Sequence, residues 1–442
     1  MQKSLKVLIV SFHYLPEVMA ASYRVHTWAK FLPRYGWEPV ILTKTSDRQG
    51  SPQSSRSVYS LSKEVDREAQ CIVYRNCYRQ KFKGLWDLRA RYTRLGNPSR
   101  GNVFFRKLLN FVIGNFFMLP DERYDWFADA VRAGKAILAK QNIQAILSTG
   151  APWTDFLIAR HLSLAANIPW IADYRDPWSQ RTSLGIHKEY FVRELANRIW
   201  EKRLTKTAAA LIQISEPLQQ DLAQSLNRKV YLIPNGYDPD NFRHADNPGP
   251  GRQKFTISFI GTLHNNTDTT AFMAAFERFV ESENISSERC EVRFVGDPNG
   301  FQRVRQTYPN FASIERFFHF EPAVSQQEAT QRMCRSHILL SFPLDMRGCC
   351  PAKTYEYLAS GRPILVSPDG KYRDVIKKTL GHTNGGVVLN TPAEIKEWLQ
   401  HKFNEFSNTG TVKSQTNRKA VQIYSRENQV RTLSQILSGA IN

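Results

Sequence analysis

The chain has 442 residues, with 60 Lys plus Arg against 40 Asp plus Glu, a formal charge of +20. Its 42% hydrophobic and 23% charged residues sit near globular averages, which excludes a disordered or collagen-like chain and fits two or three domains. The six Cys follow no zinc-site spacing and no secreted-scaffold pattern, so free thiols are expected, the adjacent Cys349 and Cys350 included.

The apolar run at 5–12 predicts a strand buried on both faces of a parallel sheet. A loop with His13, Pro16 and Glu17 follows, then a helical pattern over 22–35, Gly36 as its stop and a second strand over 38–43. That βαβ unit implies a right-handed crossover and a doubly wound sheet. The charge is lopsided: residues 1–228 carry 34 basic and 19 acidic side chains. Ten Lys/Arg fall between Arg75 and Lys107 against the single acid Asp87, and an apolar, aromatic-rich stretch runs on to Leu119. This insertion, near 75–119, reads either as a basic interfacial segment on an anionic membrane or as a solvated loop before a buried core helix. Nucleic acid is a weaker reading, because no binding motif accompanies the charge.

The alternation resumes with a helix over 129–140, strand 145–149, a helix ending near 166, strand 169–173, a helix over 188–206 and strand 209–214. Pro, Asn and Gly in 233–239 mark a junction, and 244–253 is the most linker-like stretch. A second alternation follows, with strands at 255–260, 292–295, 338–342 and 363–366, and helices at 269–280, 326–336 and 353–360. The expected fold is α/β, two doubly wound Rossmann-like domains facing across a cleft, divided as 1–228 and 229–423. A helix over 424–442 is expected to pack back on the N-terminal domain. No signal peptide and no stretch of about 18 apolar residues is present, so a cytoplasmic protein, peripheral on the inner face of the membrane, is expected.

Ligands of such sheets sit beyond the carboxyl ends of strands. The most informative string there is Pro351-Ala352-Lys353-Thr354-Tyr355-Glu356-Tyr357-Leu358-Ala359-Ser360-Gly361-Arg362-Pro363-Ile364. A helix N-terminus with Lys353 suits a diphosphate, and Glu356 one turn on could accept from a sugar or ribose hydroxyl; plain helix-end chemistry is the alternative. Asp173, Arg175 and Asp176 follow an apolar strand and either orient a polyhydroxylated acceptor or form an internal Arg–Asp pair. His13 ends the first strand and is a cleft candidate. Trp153, Trp170, Trp178 and Trp200 read as core rather than sugar platform.

The 351–364 string resembles the donor-site helix of GT-B glycosyltransferases of family 4. Further fragments match in order: His13-Tyr14-Leu15-Pro16-Glu17, Ser148 to Pro152, Ala172 to Trp178, Ile233 to Asp238, Phe259 to Leu263 and Phe294-Val295-Gly296. The resemblance spans nearly all of the chain apart from about 48–115. It implies retaining transfer of a sugar from a nucleotide-sugar held by the C-terminal domain to an acceptor on the N-terminal domain, with no cofactor and no metal. It also implies that Gly261, Thr262 and Gly296 lie against the donor, that Glu356 binds the ribose and that Lys353 neutralises the leaving diphosphate. Pro351 opens the donor helix. Three positions depart from the pattern. Gly348 stands where the family carries a Glu, His264 to Asp268 offers no fixed cation, and the Gly-rich acceptor loop reads Val18 to Ser22. Arg347, Lys353 and His264 are the substitute donor contacts. The insertion points to a lipid-linked glycan acceptor and to cell-surface polysaccharide or glycolipid synthesis. The alternative is a catalytically impaired nucleotide-binding or scaffold protein of the same fold, and an epimerase is a weaker third.

Overall fold

The computed structural model describes residues 4–17, 19–45, 61–78, 120–179, 191–243, 253–263, 267–296, 298–344, 347–348, 350–368, 370–371 and 373–442. It divides into two compact units: Met1–Pro234 with Gln429–Asn442, and Asn235–Asn428. The chain therefore leaves the first unit after Pro234 and re-enters it at Gln429.

The first unit is built on an eight-stranded sheet of order β3-β4-β2-β1-β5-β6-β7-β8. Its strands are β1 (Leu5–Val10), β2 (Trp37–Lys44), β3 (Leu61–Asp66), β4 (Cys71–Asn76), β5 (Ala145–Gly150), β6 (Trp170–Tyr174), β7 (Ala210–Gln213) and β8 (Tyr231–Leu232). All pairings are parallel except β3 with β4. Helices α1 (Ala20–Phe31), α2 (Phe127–Lys140), α3 (Thr154–Ala166), α4 (Phe191–Thr205) and α5 (Glu216–Leu226) accompany them.

With both faces of the sheet covered, the two-residue period of a strand explains why β1 is apolar from Val7 to Val10. Leu8 and Val10 join a core with Trp126, Ile137, Phe156 and Leu162, whereas Val7 and Ile9 join one with Trp28, Leu433 and Leu437 on the opposite face. Trp153, Trp170 and Trp178 are buried in the first of these cores, Trp153 stacking on Trp178 with ring centroids 4.9 Å apart. α1 begins two residues before the predicted start and gives way to a 3₁₀ turn, Leu32–Tyr35, that Gly36 ends in the left-handed region at φ 81°.

The β3–β4 hairpin is absent from the sequence reading. β3, Leu-Ser-Lys-Glu-Val-Asp, is a charged edge strand without an apolar run. Arg75 and Asn76 close β4, so the predicted insertion starts after the hairpin; residues 79–119, its larger part, lie outside the described residues. The hairpin is fastened to the loop after β1 and to the first helix: Asp66 accepts from the Tyr14 hydroxyl at 2.7 Å and contacts His26 Nδ1 of α1 at 3.0 Å.

The second unit holds a six-stranded parallel sheet of order β11-β10-β9-β12-β13-β14. Its strands are β9 (Phe255–Gly261), β10 (Cys290–Gly296), β11 (Phe318–Pro322), β12 (Ile338–Ser341), β13 (Ile364–Val366) and β14 (Gly386–Val388). Its helices include α6 (Thr270–Ser282), α7 (Pro298–Thr307), α8 (Gln326–Arg335), α9 (Ala352–Ser360), α10 (Asp374–Thr383) and α11 (Pro392–Thr409). A Phe-rich core on one face includes Phe255, Phe272, Phe276, Phe279, Phe294, Phe317 and Phe403. The sequence reading passed over β11, β14, α7, α10 and α11. α11 nevertheless carries full punctuation: a Thr391–Glu394 capping box, Pro392 in the first turn and Gly410 at φ 70° as its stop. Helix α12 (Arg426–Ile441) starts in the second unit, and its residues from Gln429 belong to the first.

Candidate active site

In the second unit β9 is followed outward by β10 and β11, whereas β12, β13 and β14 lie on its other side. The order reverses between β9 and β12, and such a switch point opens a crevice at the strands' carboxyl ends. Gly261 ends β9 there, and α9 follows the loop that leaves β12.

Gly261 and Gly296 are register partners at the ends of β9 and β10, with φ 155° and 147°. A Cβ on Gly296 would stand 2.1 Å from the Gly261 carbonyl oxygen, so Gly296 is needed for the approach of the two strand ends. A Cβ on Gly261 would meet only the Phe259 ring, at 3.7 Å, which leaves the face of Gly261 open. Thr262 is exposed beside it, and His264 falls outside the described residues.

Pro351 stands at the N-cap of α9 in extended backbone, with no side chain capping the helix. Its first turn carries Lys353, whose Nζ lies 2.5 Å from Glu356 Oε2; both are partly buried. The spacing of three places them on one helix face. The Tyr357 hydroxyl accepts from the Ile260 N–H at 2.8 Å and lies 3.2 Å from its carbonyl oxygen, locking α9 to the last turn-away of β9 before Gly261. Burial pushes the Tyr357 phenol well above its ordinary range, so it stays a donor as well as an acceptor. Tyr357 was missed in the sequence, although a polar aromatic in an otherwise apolar helix turn was its signal. Arg347 is exposed in the preceding loop. Gly348 follows at φ 72°, a left-handed position that disfavours the Glu of the resembled pattern.

In the first unit the order reverses between β1 and β5. His13, just beyond β1, contacts Glu17 at 3.0 Å through Nδ1, and Lys44 at the end of β2 donates to the same carboxylate. Burial lowers the His13 pKa; for Glu17 the Lys44 and His13 contacts outweigh burial and hold the carboxylate below its usual range. Asp173 is wholly buried and paired with Arg24 of α1, at 2.7 and 3.0 Å, while also accepting from the Thr149 hydroxyl at 2.7 Å. Of the two places open to Asp173 in the sequence, the structure forms the internal Arg–Asp pair, with Arg24 rather than Arg175 as the partner. Arg175 is half-buried and donates to Thr149 Oγ1 at 2.9 Å and to the Ala151 carbonyl, and Asp176 is exposed. His13 and Arg175 thus end at one sheet edge. Among the described residues no group of three or more His, Cys, Asp or Glu is placed to hold a metal ion.

A family model described as Glycosyltransferase Family 4 matches residues 21–241, half of the chain. The chain belongs to Glycosyltransferase Family 4. It is a nucleotide-sugar-dependent glycosyltransferase with the two-sheet GT-B fold. The fold is shared with sucrose-phosphate synthase from Thermosynechococcus elongatus, at 14% identity and TM-score 0.59 over 98% of each chain. It is shared too with Anabaena HepE in complex with UDP and glucose, at 12% identity and TM-score 0.60 over 98% of this chain and 100% of that one. An α,α-trehalose-phosphate synthase (UDP-forming) from Burkholderia vietnamiensis aligns at 12% identity and TM-score 0.60 over 99% of both. No curated protein matches the chain in a sequence search.

Proposed function

We propose that the glycosyltransferase binds its donor at the switch point of the second sheet and transfers the sugar, with retention, to a lipid-linked glycan of a cell-surface polysaccharide or glycolipid. The observation that carries the donor assignment is the Lys353–Glu356 pair at the N-terminal end of α9, the helix whose Tyr357 is bonded to Ile260 just before the open face of Gly261. Backbone N–H groups at a helix N-terminus favour a diphosphate. On binding, Lys353 exchanges part of its contact with Glu356 for the diphosphate, and Glu356 accepts from a ribose hydroxyl. As the bond from the anomeric carbon to the diphosphate oxygen breaks and the acceptor hydroxyl oxygen bonds to that carbon, negative charge grows on the leaving group, Lys353 and the helix end stabilise it, and the hydroxyl proton passes to the departing diphosphate. Arg347 and Thr262 flank the same site, Pro351 sets the entry of the helix, and no metal is needed for this charge balance. The complex of HepE with UDP supports a nucleoside diphosphate as the leaving group.

The acceptor is assigned to the first unit, with His13, Arg175 and Asp176 as its contacts at the sheet edge. A lipid-linked acceptor and a place on the cytoplasmic face of the membrane rest on the basic, aromatic insertion of the sequence. No helix among the described residues is long and apolar enough to cross a membrane.

The test is nucleoside diphosphate release from a panel of nucleotide-sugars, with and without membrane extract, in the parent and in Lys353→Ala and Glu356→Ala. Release from one donor that both substitutions abolish is the expected result; release untouched by either overturns the donor site. The left-handed Gly348 favours a second reading, a chain that binds the nucleotide without turning it over. Diphosphate-induced thermal stabilisation without release from any donor would establish that reading.

A further inference from the structure

α2, α3 and α4 lie side by side on one face of the first sheet, α2 against α3 and α3 against α4. Their inner sides share one core, through Ile137, Phe156, Leu162 and Leu204, and Gly134 lets Leu162 close the α2–α3 contact. Their outer sides therefore face solvent. Among the described residues three large apolar side chains stand out there: Leu164 on α3 at 57% exposure, and Leu195 and Ile199 on α4 at 47% and 43%. Leu195 and Ile199 are one turn apart on the same stripe.

Cations predominate on the exposed positions of these helices. Exposed cations are Arg132, Lys135 and Lys140 on α2, and Arg198, Lys202 and Arg203 on α4, with Lys206 just beyond it. The three helices carry four carboxylates. Asp155 and Glu201 are buried, and Asp129 and Glu194 each pair with a cation of their own helix, Arg132 at 3.7 Å and Arg198 at 2.6 Å. What remains is a cationic field around protruding Leu and Ile side chains. An acidic protein would have to match that field residue by residue. A bilayer with anionic headgroups matches it on average, accepts the apolar side chains between its headgroups, and lets the long Lys and Arg stems reach the phosphates.

We propose that the outer face of α2, α3 and α4 docks on an anionic bilayer, with Leu164, Leu195 and Ile199 entering the headgroup layer and Lys202 and Lys206 held at its phosphates. This deepens the membrane reading above and rests on it, but it assigns the contact to residues outside the basic insertion. The full chain is sedimented with vesicles of phosphatidylcholine containing phosphatidylglycerol and with vesicles of phosphatidylcholine alone, alongside Leu195→Ser/Ile199→Ser and Lys202→Glu/Lys206→Glu. These positions are exposed, and unchanged melting temperatures will show that the variants fold. The expected result is binding to the anionic vesicles alone, reduced at least tenfold by either double substitution. Variants that pellet like the parent would overturn this surface and leave the membrane reading to the insertion. A parent that ignores anionic vesicles, or binds both kinds equally, would overturn the docking and the membrane reading together.

Discussion

Arg24 and Asp173 meet in a wholly buried two-point ion pair, Nη2 to Oδ1 at 2.7 Å and Nε to Oδ2 at 3.0 Å. The same guanidinium donates to the carbonyls of Ile233 at 2.9 Å and Pro234 at 3.0 Å, the last residues before the second unit begins at Asn235. A guanidinium has five donors, and here they are shared between a carboxylate of β6 and the chain's point of departure. Removing one partner strands a charge in the core. Asp173→Ala is expected to cost the first unit about 3–5 kcal/mol in urea unfolding, and Arg24→Met with Asp173→Leu together less than the two single changes summed. Additive costs would show that the pair is not coupled.

Lys353 contributes to diphosphate binding through charge. Lys353→Ala is expected to weaken nucleoside diphosphate binding by roughly 10- to 100-fold, the range of a lost charge-assisted hydrogen bond, and Lys353→Arg to recover part of it. Titration calorimetry measures both. Equal affinity in parent and Lys353→Ala would remove the diphosphate from this helix end.

Two glycines with positive φ separate steric from conformational cost. Gly36 sits at φ 81° with open space around its missing Cβ, so Gly36→Ala is expected to cost about 1–2 kcal/mol from backbone strain alone. Gly296→Ala adds a 2.1 Å collision with the Gly261 carbonyl and is expected to cost about 1–3 kcal/mol more, with loss of nucleotide binding. Melting temperatures of the two variants rank them; a milder Gly296→Ala would show that the strand ends can part.

The His26–Asp66 contact between α1 and the hairpin gives a pH signature. Burial works against the charged imidazole, but Asp66 and Glu68 raise its pKa above the usual value, whereas for His13 burial, joined by the nearby Lys44 and Arg175, outweighs Glu17 and lowers it. A raised histidine stabilises the fold fully below about pH 6.5, its unfolded value, and loses that contribution as pH climbs through the folded value. The melting temperature gap between parent and His26→Gln should therefore be widest below about pH 6.5 and narrow toward alkaline pH. A gap that widens with pH would reverse the sign of the assignment.

The parts legible in the sequence share one trait: their signal is local. β1 announces itself as an apolar run because both of its faces are covered, and α9 as a string of Pro, Lys, Glu and Gly at fixed offsets. The β3–β4 hairpin was hidden because an edge strand with solvent on it needs no apolar pattern. The role of Asp173 was hidden for a different reason. Its partner Arg24 lies 149 residues away, and no spacing rule pairs them. Tyr357 likewise acts on Ile260, 97 residues earlier, so its function depends on how the sheet is ordered rather than on its neighbours in the chain.

The double passage of the chain sets a schedule for synthesis. Val430, Leu433, Ile436 and Leu437 of α12 fill the core beneath β1 and α1. A ribosome that has completed residues 1–234 has made every strand of the first sheet, yet one face of it still lacks the part of its cover that α12 supplies beside α1. The second unit, continuous from Asn235 to Asn428, can close on itself while the first waits. The domain begun first is therefore the last to be finished, and a fragment ending at Pro234 would present an uncovered apolar face to chaperones rather than behave as an autonomous domain.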